Sequence, residues 1–123
     1  MRNLPMSEPY LQIVQESSVN VVELSIPLEV DSMAIDRLIG ALIDALQNTP
    51  AHGWVVDLSK AAYLNSAGLG LLVNVREKVR QSRGKLVLCG LSAQLLALFR
   101  SCCLERLFTV THTRAEAIGL ARK

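Results

Sequence analysis

Aromatic side chains are scarce in this chain: one Trp, two Tyr and two Phe among 123 residues. A hydrophobic core must therefore be built mostly from Leu, Val, Ile and Ala. An excess of one charge is also missing. Thirteen basic and eleven acidic residues leave a net charge of +2, which gives no large field for nucleic acid or an anionic membrane surface. Cysteine is limited to Cys89, Cys102 and Cys103, with no C-x-x-C spacing. An odd thiol count beside ample hydrophobic residues reads as reduced cysteines in a cytoplasmic compartment. Long apolar runs are absent. None approaches the ~18 residues of a membrane span, and Met-Arg-Asn-Leu-Pro-Met-Ser-Glu-Pro at the start lacks the continuous apolar stretch of a signal peptide. Only two histidines occur, His52 and His112, without the carboxylate or cysteine spacing of a metal site.

What is present suffices for one folded domain. Half of the residues are hydrophobic, and the length fits a single core. Residues 1–8, with Pro5 and the following Pro9, read as a flexible arm, and 9–123 as the domain. Tyr10 to Gln15 and Val19 to Ile26 read as two strands around a Glu16-Ser17-Ser18 turn, an antiparallel hairpin at a sheet edge. Asp31-Ser32 caps a helix whose inward stripe is Ile35, Leu38, Ile39, Leu42, Ile43 and Leu46, stopped by Asn48-Thr49-Pro50. Lys85 to Cys89 is a further buried strand. Ser92 caps a helix that turns Leu95, Leu96 and Phe99 inward, with Cys102-Cys103 packed beneath the last helix. Phe108 to Val110 is a short strand, and Thr113 to Glu116 forms a capping box before the last helix. The order β-β-α-β-α-β-α-β-α implies crossover connections. It predicts an α/β domain with a mostly parallel sheet of four to five strands, an antiparallel edge hairpin and about four helices.

The chain is organised around Trp54 to Val79. A short apolar run, Trp-Val-Val-Asp-Leu, reads as a buried parallel strand. A loop of small and polar residues leads into a helix beginning Ser66-Ala67-Gly68-Leu69-Gly70, with Leu69, Leu72, Val73 and Val79 expected inward. A helix start carries unpaired N–H groups and a partial positive charge, so a hydroxyl at Ser66 suits either a cap or an attached anion. Enzyme signatures do not fit this stretch. Gly68-x-Gly70 lacks its third glycine, since Val73 stands there, so a dinucleotide fingerprint is incomplete. Leu64-Asn-Ser-Ala-Gly lacks the first glycine of a nucleophile elbow and a partnered histidine. Arg76, Lys78, Arg80, Arg83 and Lys85 form a basic run without interleaved aromatics, a solvated face by default or a docking patch for an acidic partner.

With these residues placed, the chain resembles the STAS domain family, and within it the bacterial anti-sigma factor antagonists. The resemblance rests on Val30-Asp31, on Val-Asp-Leu-Ser at Val56 to Ser59, and on Asn-Ser-Ala-Gly-Leu-Gly at Asn65 to Gly70. Gly-Lys-Leu-Val-Leu-Cys at Gly84 to Cys89, and Leu98, Phe99 and Leu104, complete it. It spans about residues 10 to 120. The family's central motif is Asp-Ser-Ser-Gly or Asp-Ser-Thr-Gly, whose first serine, matched here by Ser66, is phosphorylated by a partner anti-sigma factor that is a serine kinase. The resemblance implies a protein-interaction switch, not an enzyme. The unmodified domain binds the anti-sigma factor, phosphorylation of Ser66 releases it, and a serine phosphatase restores binding. The implied contact surface is Asp31, Ser32, Asn65, Ser66, Ala67, Gly68 and Leu69. No cofactor, metal, nucleic acid or membrane is implied. The sequence departs from the family at Asn65 (Asp in the motif), Ala67 (the second hydroxyl residue), Leu28 and Cys103 (both glycine in the family). Two alternatives accompany this reading. In one, Ser66 is a plain N-cap, with Gly68 and Gly70 serving only close helix–strand packing. In the other, the domain is an unphosphorylated scaffold or adaptor subunit of a stress-signalling or lipid-transport assembly.

Overall fold

A computed structural model describes residues 2–3, 10–27, 31–48, 51–61 and 64–123. Among them run β1 (Arg2–Asn3), β2 (Leu11–Glu16), β3 (Val19–Leu24), α1 (Ser32–Asn48), β4 (Gly53–Asp57), α2 (Ser66–Gln81), β5 (Lys85–Cys89), α3 (Ala93–Ser101), β6 (Thr109–Thr111) and α4 (Arg114–Ala121). A 3₁₀ turn, Leu104–Arg106, links α3 to β6. The strands lie in sequence order across one sheet. β1, β2 and β3 are antiparallel neighbours, and β3 through β6 are parallel. The predicted α/β class and element order hold, with boundaries shifted by one or two residues. Arg2–Asn3 pairs with Gln15 and Val14, within a stretch expected to be a loose arm. Leu28 and the Thr49-Pro50 helix stop lie outside the described residues.

The hairpin turn places Ser17 and Ser18 both at positive φ, 54° and 68°. Two consecutive left-handed residues make a turn whose twist matches the flanking strands. Each later crossover joins parallel neighbours in the same direction across the sheet. Right-handed crossovers must then put α1, α2 and α3 on one face. Their side chains Ile35, Leu38, Leu42, Leu72, Val75, Leu95 and Phe99 form the main core with Val22, Trp54, Val56 and Leu88. Helix α4 follows the last strand and turns to the opposite face. There Ala117, Ile118 and Ala121 cover Val19, Val21, Val55 and Val87. This double covering buries nearly every residue of β3.

The inward face of α2 differs from the expected one. Gly68, Leu71, Leu72, Val75 and Val79 are buried, whereas Leu69 and Val73 are only half-buried. The true stripe includes a glycine, which carries no hydrophobic signal, so the apolar pattern alone pointed one residue away. Ser82-Arg83-Gly84 ends α2, and the left-handed residue is Arg83 (φ 59°). Arg83 N–H donates to Arg80 O at 2.9 Å and Gly84 N–H to Val79 O at 2.8 Å, the paired bonds of a Schellman ending. Gly84 is needed for another reason: a Cβ there would lie 2.8 Å from His52 O.

Candidate functional site

The segment that delivers Ser66 is braced from below. Leu58 N–H, just past the end of β4, donates to Cys89 O on β5 at 2.9 Å, and Ala61 N–H donates to Leu58 O at 3.0 Å. Asp57 Oδ1 accepts from Ser59 N–H at 2.9 Å. Leu58, Ala61 and Leu64 are all buried, one apolar anchor in every three residues. The exit of β5 passes so close that a Cβ on Gly90, which sits at φ +75°, would be 2.9 Å from Ser59. Both the positive φ and the contact demand glycine there.

Asn65, not Ser66, caps α2. Its backbone is extended (φ −84°, ψ −176°), and its Oδ1 accepts from Gly68 N–H at 2.9 Å. Asn caps about as well as Asp, so replacing the family's aspartate keeps the cap and removes its charge. Ser66 is thereby freed from capping. It is the first residue of α2, its side chain is exposed, and Oγ has no hydrogen-bond partner among the described residues. Ala67 is exposed, Leu69 is half-buried and Gly68 is buried. A Cβ at Gly68 would lie 3.0 Å from Leu64 Cδ2, so this glycine does serve close packing. Gly70 does not: it is exposed, and nothing lies within 4 Å of a Cβ there. Ser66 and Gly70 are one turn apart on the same helix face. With Ala67 they form a surface almost bare of side chains.

The other expected contact residues lie at the start of α1. Asp31 is exposed, and its Oδ1 accepts from Ala34 N–H at 2.7 Å. Ser32 opens the helix. Because α1 and α2 each follow a parallel strand and run back across the same face, both N-termini emerge at the C-terminal edge of the sheet, and the two helices pack together. Met33 was not legible as a site residue. At 69% exposure it is an unburied apolar side chain in the first turn of α1. Its signal in the sequence was its place off the Ile35–Leu38–Leu42 stripe.

A second polar constellation was also missed. Arg114, opening α4, donates to Glu23 at 2.8 Å and Glu16 at 3.0 Å, and approaches Asp57 at 3.5 Å. Three carboxylates thus converge on one guanidinium and tie α4 to β2, β3 and β4. Burial lowers the Arg114 pKa, but hydrogen bonds and charge from Glu23 and Glu16 outweigh it and raise the pKa overall. Beside this cluster, Cys89 is fully buried. Burial pushes its thiol up to about 12, with Asp57 adding to the rise and Arg114 opposing it. It is a neutral core residue without nucleophilic character. Cys102 and Cys103 correct the expectation of packing under the last helix, because both are exposed at the end of α3. Cys103 occupies the left-handed position (φ 58°) where the family has glycine. His52 and His112 are exposed. Among the described residues no group of three His, Cys, Asp or Glu could hold a metal ion, and no helix is long and apolar enough to cross a membrane.

The chain and its fold have counterparts among known proteins. An anti-sigma-B factor antagonist of Listeria monocytogenes is 26% identical over 106 residues, covering 86% of this chain and 92% of that protein. The solved anti-sigma-factor antagonist (STAS) domain protein of Planctomyces limnophilus superposes with a TM-score of 0.80 at 15% identity, covering 92% of this chain and 98% of that one. The Bacillus cell fate determinant SpoIIAA, solved in its phosphorylated form, gives a TM-score of 0.65 at 17% identity over 89% and 96% of the two chains. The profile of the STAS domain matches residues 10–117, and the chain belongs to the STAS domain family.

Proposed function

We propose that this protein is an anti-sigma factor antagonist, a protein-interaction switch and not an enzyme. In this reading it binds an anti-sigma factor serine kinase through Asp31, Ser32 and the residues Asn65 to Leu69. Phosphorylation of Ser66 releases it, and a serine phosphatase resets it in the cytoplasm. The observation that carries the proposal is the exposure of Ser66 at the first position of α2, relieved of capping by Asn65. The name of the Listeria relative supports the antagonist role, and the phosphorylated form of SpoIIAA shows that a protein of this fold accepts the modification.

The switch needs no refolding. A phosphate adds about −1.5 to −2 charge at pH 7. At a helix N-terminus that charge is favoured by about 0.3–1 kcal/mol, so the scaffold tolerates it. A partner pressed onto the bare Ser66–Gly70 face meets the new charge and its hydration directly. Releasing the partner a thousandfold requires only about 4 kcal/mol, within reach of an unpaired charge buried at an interface.

The test is binding to a kinase-type anti-sigma factor of the same cell. Ser66→Asp is expected to abolish binding, and Ser66→Ala to bind whether or not ATP is present. If both variants behave as wild type, the switch reading fails. The departures at Asn65 and Ala67 favour a second reading, an unphosphorylated scaffold or adaptor. Intact mass of the protein from its own cells separates the two, since one added phosphate is expected only for the switch.

A further inference from the structure

The basic run of α2 is not used by the Ser66 surface. Arg80 lies fourteen residues beyond Ser66, about 21 Å along the helix axis. At that end a concave cavity of about 200 Å³ opens between α2, the start of β5 and the entry to β6, and Arg76, Arg80, Lys85, Leu107, Phe108 and Thr109 are among its walls. No carboxylate lines it among the described residues. Arg76 is held in place: its Nε donates to Leu107 O at 2.7 Å. That bond fixes the guanidinium plane and leaves its two terminal nitrogens without a partner among the described residues. Arg80 meets only Glu77, at 3.6 Å in a well-exposed pair, which is worth little. Lys85 has no ion pair among the described residues.

Helix-dipole complementarity accounts for part of this charge. Lys78 and Arg80 sit in the last turn of α2, where cations are favoured. It does not account for Lys85, which is on a strand, nor for Arg76, which reaches across to the β6 entry. The carbonyls of Lys78, Val79 and Arg80 already accept from Ser82, Gly84 and Arg83, so they are engaged in the helix ending.

We propose that this cavity is a binding site for a small phosphorylated ligand, with Arg76 presenting its fixed fork to the oxyanion and Arg80 and Lys85 supplying charge at the mouth. An anchored guanidinium matches phosphate geometry through paired N–H donors. The cavity is smaller than the usual ~300–1,000 Å³ of drug-sized pockets, which suits a phosphate or diphosphate group and not a folded partner. The proposal is independent of the Ser66 switch.

Amide and arginine-side-chain NMR titration with inorganic pyrophosphate at low salt tests it. Saturable shifts are expected at Arg76 Nε, Gly84, Lys85 and Thr109, with a Kd below about 10 mM. Arg76→Gln with Arg80→Gln should weaken binding at least tenfold, while Lys60→Gln with Lys123→Gln, which removes two charges elsewhere, should change it less than twofold. Arg76→Lys keeps the charge and loses the fork. It is expected to weaken binding severalfold while retaining the wild-type amide spectrum away from the cavity, which guards against a folding defect in the double variant. No saturable shift, equal loss in the Lys60/Lys123 control, or shifts centred on the α2 N-terminus would each overturn the proposal. So would binding of an acidic peptide but not pyrophosphate, in favour of a docking surface.

Discussion

Two glycines two residues apart on α2 should respond to alanine with opposite sign. Gly70 is exposed inside the helix, and a Cβ there meets nothing within 4 Å. Alanine removes the helix penalty of glycine and restricts the unfolded chain, so Gly70→Ala is expected to stabilise by about 0.5–1 kcal/mol. For a domain of this length that corresponds to a rise in Tm of roughly 2–6 °C. Gly68 is buried, and its added methyl would lie 3.0 Å from Leu64 Cδ2 and 3.4 Å from Leu64 Cβ. Leu64 is 2% exposed and part of the main core, so any retreat presses it against neighbouring side chains. Overpacking of this kind costs about 1–3 kcal/mol, which exceeds the propensity gain, and Gly68→Ala should destabilise by about 0.5–2 kcal/mol. Urea unfolding followed by circular dichroism measures both, with unchanged slopes showing that only stability moved. A destabilised Gly70→Ala, or a stabilised Gly68→Ala, would refute the assigned faces of α2 and with them the bare surface beside Ser66. If stability follows these signs, a bulkier Gly70→Gln tests the interface separately: it should weaken anti-sigma factor binding without loss of fold.

The two cysteine environments yield further expectations. Cys103→Gly should stabilise by about 0.5–1 kcal/mol, because a left-handed residue with a side chain costs ~1–2 kcal/mol, partly offset by the greater freedom of glycine in the unfolded chain; a fall in the urea midpoint would count against the Cys103 conformation. Cys89 should make the fold sensitive to alkali. Its thiol is raised from 9.0 to about 12, so above pH 9 the unfolded chain loses a proton that the folded protein keeps. Stability contributed by this site is therefore intact below pH 9 and declines by up to ~1.4 kcal/mol per pH unit toward pH 12. Cys89→Ala should flatten that slope in pH-dependent urea unfolding, and an unchanged slope would show that the decline has another origin.

Element type and order were legible in the sequence because each signal was local. The Ser92 and Thr113 caps, the Lys85–Cys89 strand and the Ile35–Leu42 stripe are each written within a few residues. The capping box appears in full, with Glu116 N–H donating to Thr113 Oγ1 at 3.1 Å. The candidate site was legible as a place, the loop into α2, since an Asn-Ser-Ala-Gly run before an apolar helix marks a helix start. Its internal division of labour was not. Whether Asn65 or Ser66 caps depends on the extended backbone of Asn65, the residue next to the buried Leu64.

Local sequence thus determined the alternation of strands and helices, and through right-handed crossovers the side of the sheet that α1 to α3 cover. Contacts between distant segments decided the rest. Gly68 and Gly70 are the same residue type in one helix, yet only the first has Leu64 against the place of a Cβ. Glu16, Glu23 and Asp57 carry no motif, and they meet only because three neighbouring strands turn the same face toward Arg114. The meaning of such residues lies in what is brought against them, and a short window of sequence does not contain that neighbour.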